Sequence, residues 1–160
     1  ATPDVSFTPG PTDQAALASD VDAYIERSKI LNPATHALQN WTEIVNEHAL
    51  LDSSKLDRPK VMQMIQAQLK AATNVYTATR DSLTDFRLII PPPQCQETHL
   101  IMTEALQLQE QAFLEMKTYL DLAKSGGNVD ERLQKANRLM AEADRVKQGG
   151  LFALKSCFGP

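Results

Sequence analysis

An all-α protein, folded as an antiparallel up-and-down four-helix bundle, is what this sequence predicts, and three observations predict it. Four long segments repeat apolar residues at three- and four-residue spacing, the period of one buried helix face. The connectors between them are short and hold residues that stop and start helices: Asn32-Pro33, Asp52-Ser53-Ser54, Pro91-Pro92-Pro93 and Ser125-Gly126-Gly127-Asn128. Composition agrees, because Ala, Leu and Gln are plentiful while aromatic residues make up only 6% of the chain. A chain of 160 residues is one domain by length and can bury a real core.

Residues 1–12, with Pro3, Pro9, Gly10 and Pro11, have no periodicity and read as an extended N-terminal arm. Residues 13–160 read as a single helical-bundle domain with a packed C-terminal tail. Thr12 and Asp13 are candidate N-caps of the first helix, whose stripe starts with Leu17, Val21, Tyr24 and Ile25. Proline at position 33 removes a backbone donor, so this helix is kinked or broken near Asn32-Pro33. Asn32 is a good N-cap and Pro33 a good first residue for a helix restarting there. Leu38, Trp41, Ile44, Val45, His48 and Leu51 continue the stripe.

Asp57 then caps a second long helix with Pro59 in its first turn. Its stripe runs Val61, Met62, Ile65, Leu69, Ala72, Val75, Tyr76, Thr79, Leu83 and Phe86. It ends near Ile90, since a residue before proline disfavours helical backbone. The third helix extends from about Pro93 to Lys124, with Leu100, Ile101, Glu104, Ala105, Leu108, Ala112, Glu115, Met116, Tyr119, Leu120 and Ala123 on one face. Gly126 supplies a left-handed C-cap and Asn128 caps the fourth helix. That helix carries Val129, Leu133, Ala136, Leu139, Met140, Ala143 and Val146 and stops at Gly149-Gly150. The segment Leu151 to Phe158 is too apolar to float free and should pack down.

The two cysteines can meet across this hairpin. From Cys95 to Ser125 a helix rises about 45 Å, and the return from Asn128 to Gly149 covers about 32 Å. The remaining ~13 Å is within reach of the tail, so a Cys95–Cys157 disulfide is expected. A disulfide implies an oxidising compartment. The start Ala1-Thr2-Pro3-Asp4, small residues and then a polar proline-bearing stretch, looks like a chain from which a signal peptide has been removed, or equally one trimmed at that point. Both lead to an expected extracytoplasmic location: secreted, periplasmic or associated with the cell envelope.

The sequence is poor in chemistry. Net charge is -4, which does not recommend nucleic acid as a partner, and no apolar run approaches the length of a membrane span. There is no Cys-x-x-Cys, no His-x-x-x-His or Glu-x-x-His spacing, no Ser-His-Asp arrangement and no phosphate loop. Glu43 and Glu47 lie one turn apart with His48 adjacent, a trio able to hold a cation weakly, or equally a solvated helix face. His99 follows Cys95 by one helical turn and reads either as a pH-sensitive or ligand-contacting group or as a histidine packed over the proline loop. Glu104 and Glu115 fall on or beside the apolar stripe, where a buried carboxylate would be functional and an edge one solvated. The methionines sit at core spacing.

The segment Leu83–Leu120, with Leu88-Ile89-Ile90-Pro91-Pro92 and His99 a few residues into the next helix, resembles a pattern found in uncharacterised exported bacterial helical-bundle proteins. The resemblance covers about a quarter of the chain. It implies an extracytoplasmic bundle and no known activity. The second half also resembles the periplasmic four-helix cytochromes in its helix and turn lengths. That family needs a histidine haem ligand on the last helix, and none lies between Asn128 and Gly149. The reading that follows is a non-enzymatic extracytoplasmic binding or interaction module without a cofactor. Its partner is an unidentified protein or small molecule. The alternatives are a bundle that binds a small ligand in an interior pocket, or a weak metal-binding protein using Glu43, Glu47 and His48.

Overall fold

The computed structural model describes residues 11–127 and 130–158. The first ten residues of the expected arm, the packing of Leu17, and Asn128 and Val129 as cap and stripe lie outside what is described. Five helices follow one another: α1 (Pro11–Ser28), α2 (Asn32–Ala49), α3 (Arg58–Phe86), α4 (Gln96–Lys124) and α5 (Asp130–Cys157). No strand occurs among the described residues. α1 and α2 are two limbs of one broken helix, so the architecture is an antiparallel up-and-down four-helix bundle. α3 packs between α2 and α4, and α4 between α3 and α5.

The break is a 3-10 turn, Lys29–Leu31, and the backbone stays right-handed on both sides of it. Leu31, not Asn32, holds the cap position and gives no side-chain cap; Asn32 is already helical and Pro33 follows it. The Asn32 N–H reaches the Lys29 carbonyl, so the tight turn does the work expected of an N-cap. α1 itself begins at Pro11, which places Thr12 and Asp13 inside its first turn rather than ahead of it.

Other boundaries follow their sequence signals. The Asp57 carboxylate accepts from the Lys60 N–H at 2.9 Å at the start of α3. α3 ends at Phe86, four residues before Ile90, and Leu88 and Ile90 are left exposed in the connector. α4 ends in a Schellman motif. Gly126, at φ 81°, donates to the Ala123 carbonyl at 3.0 Å, and the Gly127 N–H donates to Leu122 at 3.2 Å.

α5 departs most from expectation. It does not stop at Gly149-Gly150 but runs on to Cys157. Two glycines cost a helix only about 1 kcal/mol each, and Gly150 is favoured by its surroundings. A β-carbon there would meet Met102 Sδ at 2.9 Å and Ile101 Cγ2 at 3.2 Å on α4. Gly150, Ala153 and Cys157 continue the inward face with small residues, so α5 stays close to α4 to its end. The last turns therefore pack only on that face, and Leu151, Phe152 and Phe158 remain exposed.

α4 also buries more than one narrow stripe. Leu106, Gln109 and Phe113 are buried, while Leu100 and Glu104 are exposed. A helix with neighbours on two sides needs a wide inward face, and the single stripe expected from sequence sees only part of it.

The buried interior divides in two. On the side of the α2–α3 and α4–α5 connectors, Trp41, Ala72, Val75, Phe113, Met116 and Leu120 form one cluster. Trp41 and Phe113 meet edge to face with centroids 5.4 Å apart. On the side of the proline connector, Leu83, Phe86 and Leu106 form a second cluster, and Tyr24, Cys95 and Cys157 a third beside it. Between the halves lies a polar layer. Gln109 Nε2 donates to Thr79 Oγ1 at 2.8 Å, and Lys147 Nζ donates to Gln109 Oε1 at 3.1 Å, joining α3, α4 and α5. Burial lowers the Lys147 pKa below its usual value, partly opposed by the charge of Asp144.

Candidate functional site

Cys95 and Cys157 stand at disulfide distance, their Cα atoms 4.5 Å apart. The pairing expected from sequence holds, but by another route. α5 reaches Cys95 by helical rise over its 28 residues, matching the 29 of α4, rather than by an extended tail.

This junction anchors the end of the bundle over which α1 lies. Among the described side chains of α1 Tyr24 alone is buried, and it packs on Cys95 and Cys157. Its hydroxyl is 3.0 Å from His99 Nδ1. Phe86 stacks on the same imidazole with ring centroids 4.2 Å apart. Burial lowers the His99 pKa below the ordinary imidazole value, and burial raises that of the Tyr24 phenol. Both shifts keep the imidazole and the phenol of this pair neutral. His99 is 7% exposed and is held between Tyr24 of α1 and Phe86 of α3.

Beside the clamp lies a cleft of about 220 Å³ between α1, α4 and the last turns of α5. Tyr24, Ile25, Phe86, Met102 and Leu154 supply most of its apolar wall, and no lining residue is charged. Thr98 also lines it. Thr98 is 3% exposed, and its buried hydroxyl has no hydrogen-bond partner. Around the mouth, Leu151 and Phe158 are exposed lining residues, and Leu88, Ile90, Leu100 and Phe152 stand exposed on the same end of the bundle.

The remaining candidates are scattered. Glu43 and Glu47 are exposed on α2, and His48 Nδ1 lies 2.8 Å from Gln68 Nε2 of α3. Among the described residues no three His, Cys, Asp or Glu side chains gather as a metal site requires. Glu104 is exposed. Glu115 sits at the edge of the core and pairs across to α5, with Lys135 at 3.0 Å and Arg132 at 3.5 Å. Those three residues, with Glu131 and Arg138, line a separate open groove of about 560 Å³. No described helix is long and apolar enough to cross a membrane.

Sequence reasoning did not find Thr98, or the pairing of Tyr24 with His99. Tyr24 read as one more stripe residue, and 75 positions separate it from its partner. The available signal was its being the sole aromatic residue of α1, with a hydroxyl that needs a partner when buried.

No protein-family model, curated protein or solved structure matches this chain.

Proposed function

We propose that this protein is a non-enzymatic extracytoplasmic binding module, and that it binds with the disulfide end of the bundle. One observation carries the reading: the apolar cleft and the exposed apolar residues Leu88, Ile90, Leu100, Leu151, Phe152 and Phe158 share that end. Exposed apolar residues gathered at one end of a bundle beside an apolar cleft are a mark of a docking site. The cysteine pair supports an oxidising compartment, in line with the resemblance to exported bundles. The exported-bundle resemblance adds no activity, and the site offers no nucleophile with an adjacent base, so binding is the chemistry that remains.

Site-specific photo-crosslinking in the source cells tests the reading. A benzophenone side chain replacing Phe152 should give a discrete adduct, and the same group replacing Leu50, exposed at the opposite end, should not. Equal labelling from both positions, or none from Phe152, rejects the disulfide end as the docking surface.

A further inference from the structure

We infer that α1 is a lid over the disulfide end of the bundle, pivoting at the Lys29–Leu31 turn and latched by the Tyr24–His99 contact, and that protonation of His99 releases it in acid. The inference names a regulation of the end read above as the binding surface, and to that extent rests on that reading. The pivot comes first. The turn is fixed to the bundle, since the Ser82 hydroxyl of α3 donates to the Ile30 carbonyl at 3.0 Å and Ile30 and Leu31 pack against Leu83, Phe86 and Leu106. Ahead of the turn the hold is slight. Tyr24 alone is buried among the described side chains of α1, whereas α3 buries seven residues. Tyr24, Ile25 and Ser28 give the cleft its α1 wall, so displacing α1 opens that space and uncovers Met102 of α4 and Leu154 of α5.

The latch is a titratable pair closed off from water. The Tyr24 hydroxyl lies 3.0 Å from His99 Nδ1, and the Phe86 ring stacks on the imidazole with centroids 4.2 Å apart. Among the described residues Tyr24 is the titratable side chain that meets His99. The charged residues nearest on the surrounding elements, Glu26 and Arg27 on α1, Asp85 and Arg87 on α3, Glu97 on α4 and Lys155 on α5, are exposed. None of them contributes to the lowered pKa of His99, which burial causes. An imidazolium formed here is a buried charge without a carboxylate to pair it, and it gains most by reaching water. Of the two rings that cover it, Phe86 belongs to a core cluster joining α3 and α4, while Tyr24 sits on the helix that is held least. The open state therefore binds the proton better, and acid shifts the population toward it.

The test is amide hydrogen exchange on the full chain with its disulfide intact, at pH 7 and pH 5, each corrected for the intrinsic exchange rate at that pH. An 18-residue helix released from its packing is marginal in water, so its amides lose protection when the lid opens. At both pH values the amides from Tyr24 to Ser28 should be at least about tenfold less protected than those of α3 beside Phe86, the mark of an opening smaller than global unfolding. From pH 7 to pH 5 their protection should fall by at least about threefold, toward a ceiling of about 25-fold set by an open imidazole titrating near pH 6.5. His99→Gln should remove that fall, and His99→Leu repeats the test if the first variant does not fold. A fall that persists in the His99 variants, or no fall in the parent protein, overturns the inference. So does a common protection for α1 and α3 at pH 5, because the opening is then global. The adduct from position 152 is read at neutral pH with α1 closed; its absence removes the docking end, and the exchange rates decide the lid by themselves.

Discussion

On one side of the Thr79–Gln109–Lys147 layer, Trp41, Val75, Phe113, Met116 and Leu120 interlock as apolar side chains from three helices. On the other side the same bundle holds a histidine, a tyrosine, an unpartnered threonine hydroxyl and a cleft, tied together by Cys95 and Cys157. The first half needs nothing but burial to hold it. The second gives up close packing for polar groups and open space, and replaces the lost cohesion with a covalent tie. Binding sites are drawn from such less cohesive regions, because ligand contacts need room that a filled core does not leave.

The largest test of this contrast is Phe113→Ala. Removing a buried phenylalanine typically costs about 3–5 kcal/mol, and here it also removes the edge contact with Trp41. Urea unfolding of the oxidised protein, followed by helical circular dichroism, should show that loss across a single transition. A loss below ~1.5 kcal/mol would mean that the apolar half is not the main source of stability.

Next in size is the bridge. It closes a loop across 62 positions, which the chain-entropy model values at up to about 4 kcal/mol. Replacing both cysteines with alanine should lower the melting temperature. More telling is where hydrogen exchange quickens. α1 and the last two turns of α5 should open first, while α3 and α4 around Val75 and Phe113 keep their protection. Uniform quickening would erase the distinction between the two halves.

The polar layer supplies a smaller effect. Gln109→Leu leaves Thr79 and Lys147 without their partner, and an unsatisfied buried group costs about 1–3 kcal/mol. Combining it with Thr79→Val should cost less than the two single losses added together, because the pair fails as one unit. Strict additivity in a double-mutant cycle would show that the layer is not coupled.

How legible each half was in the sequence follows the same division. The apolar half is written in local terms. Asp57 and Pro59 mark the start of α3, Gly126 ends α4 in the left-handed conformation, and Trp41, Val75 and Met116 fall at helical spacing. Even there Phe113 escaped, as Leu106 did in the other half, since a stripe drawn for one neighbour does not describe a helix with two. The disulfide half depends on contacts between distant residues. The cysteine pair was readable because two cysteines allow only one pairing. The path of α5 was not, because Gly149-Gly150 looks like a stop unless Met102 is known to lie against it. Likewise, nothing near Thr98 in the sequence says that its hydroxyl will be buried without a partner.

The smallest effect expected is a pH dependence, and it belongs wholly to the disulfide half. His99 is held between the Tyr24 hydroxyl of α1 and the Phe86 ring of α3, and its pKa is lowered by burial, with no charged neighbour contributing. An unfolded imidazole takes a proton near pH 6.5; the folded one takes it only at lower pH. The unfolded state therefore binds the proton first as pH falls. The contribution of His99 to stability is complete above about pH 6.5 and is lost as pH drops through the folded pKa. Once His99 is protonated its Nδ1 can only donate, so the phenol oxygen of Tyr24 must accept. His99→Gln keeps a polar group beside Tyr24 without titrating in this range, so its unfolding free energy should fall less than that of the parent protein between pH 7 and pH 5. Carboxylates elsewhere titrate in both proteins and cancel in the difference. Parallel pH profiles would remove His99 from the account of this half, and with it the claim that α1 is latched by a neutral imidazole.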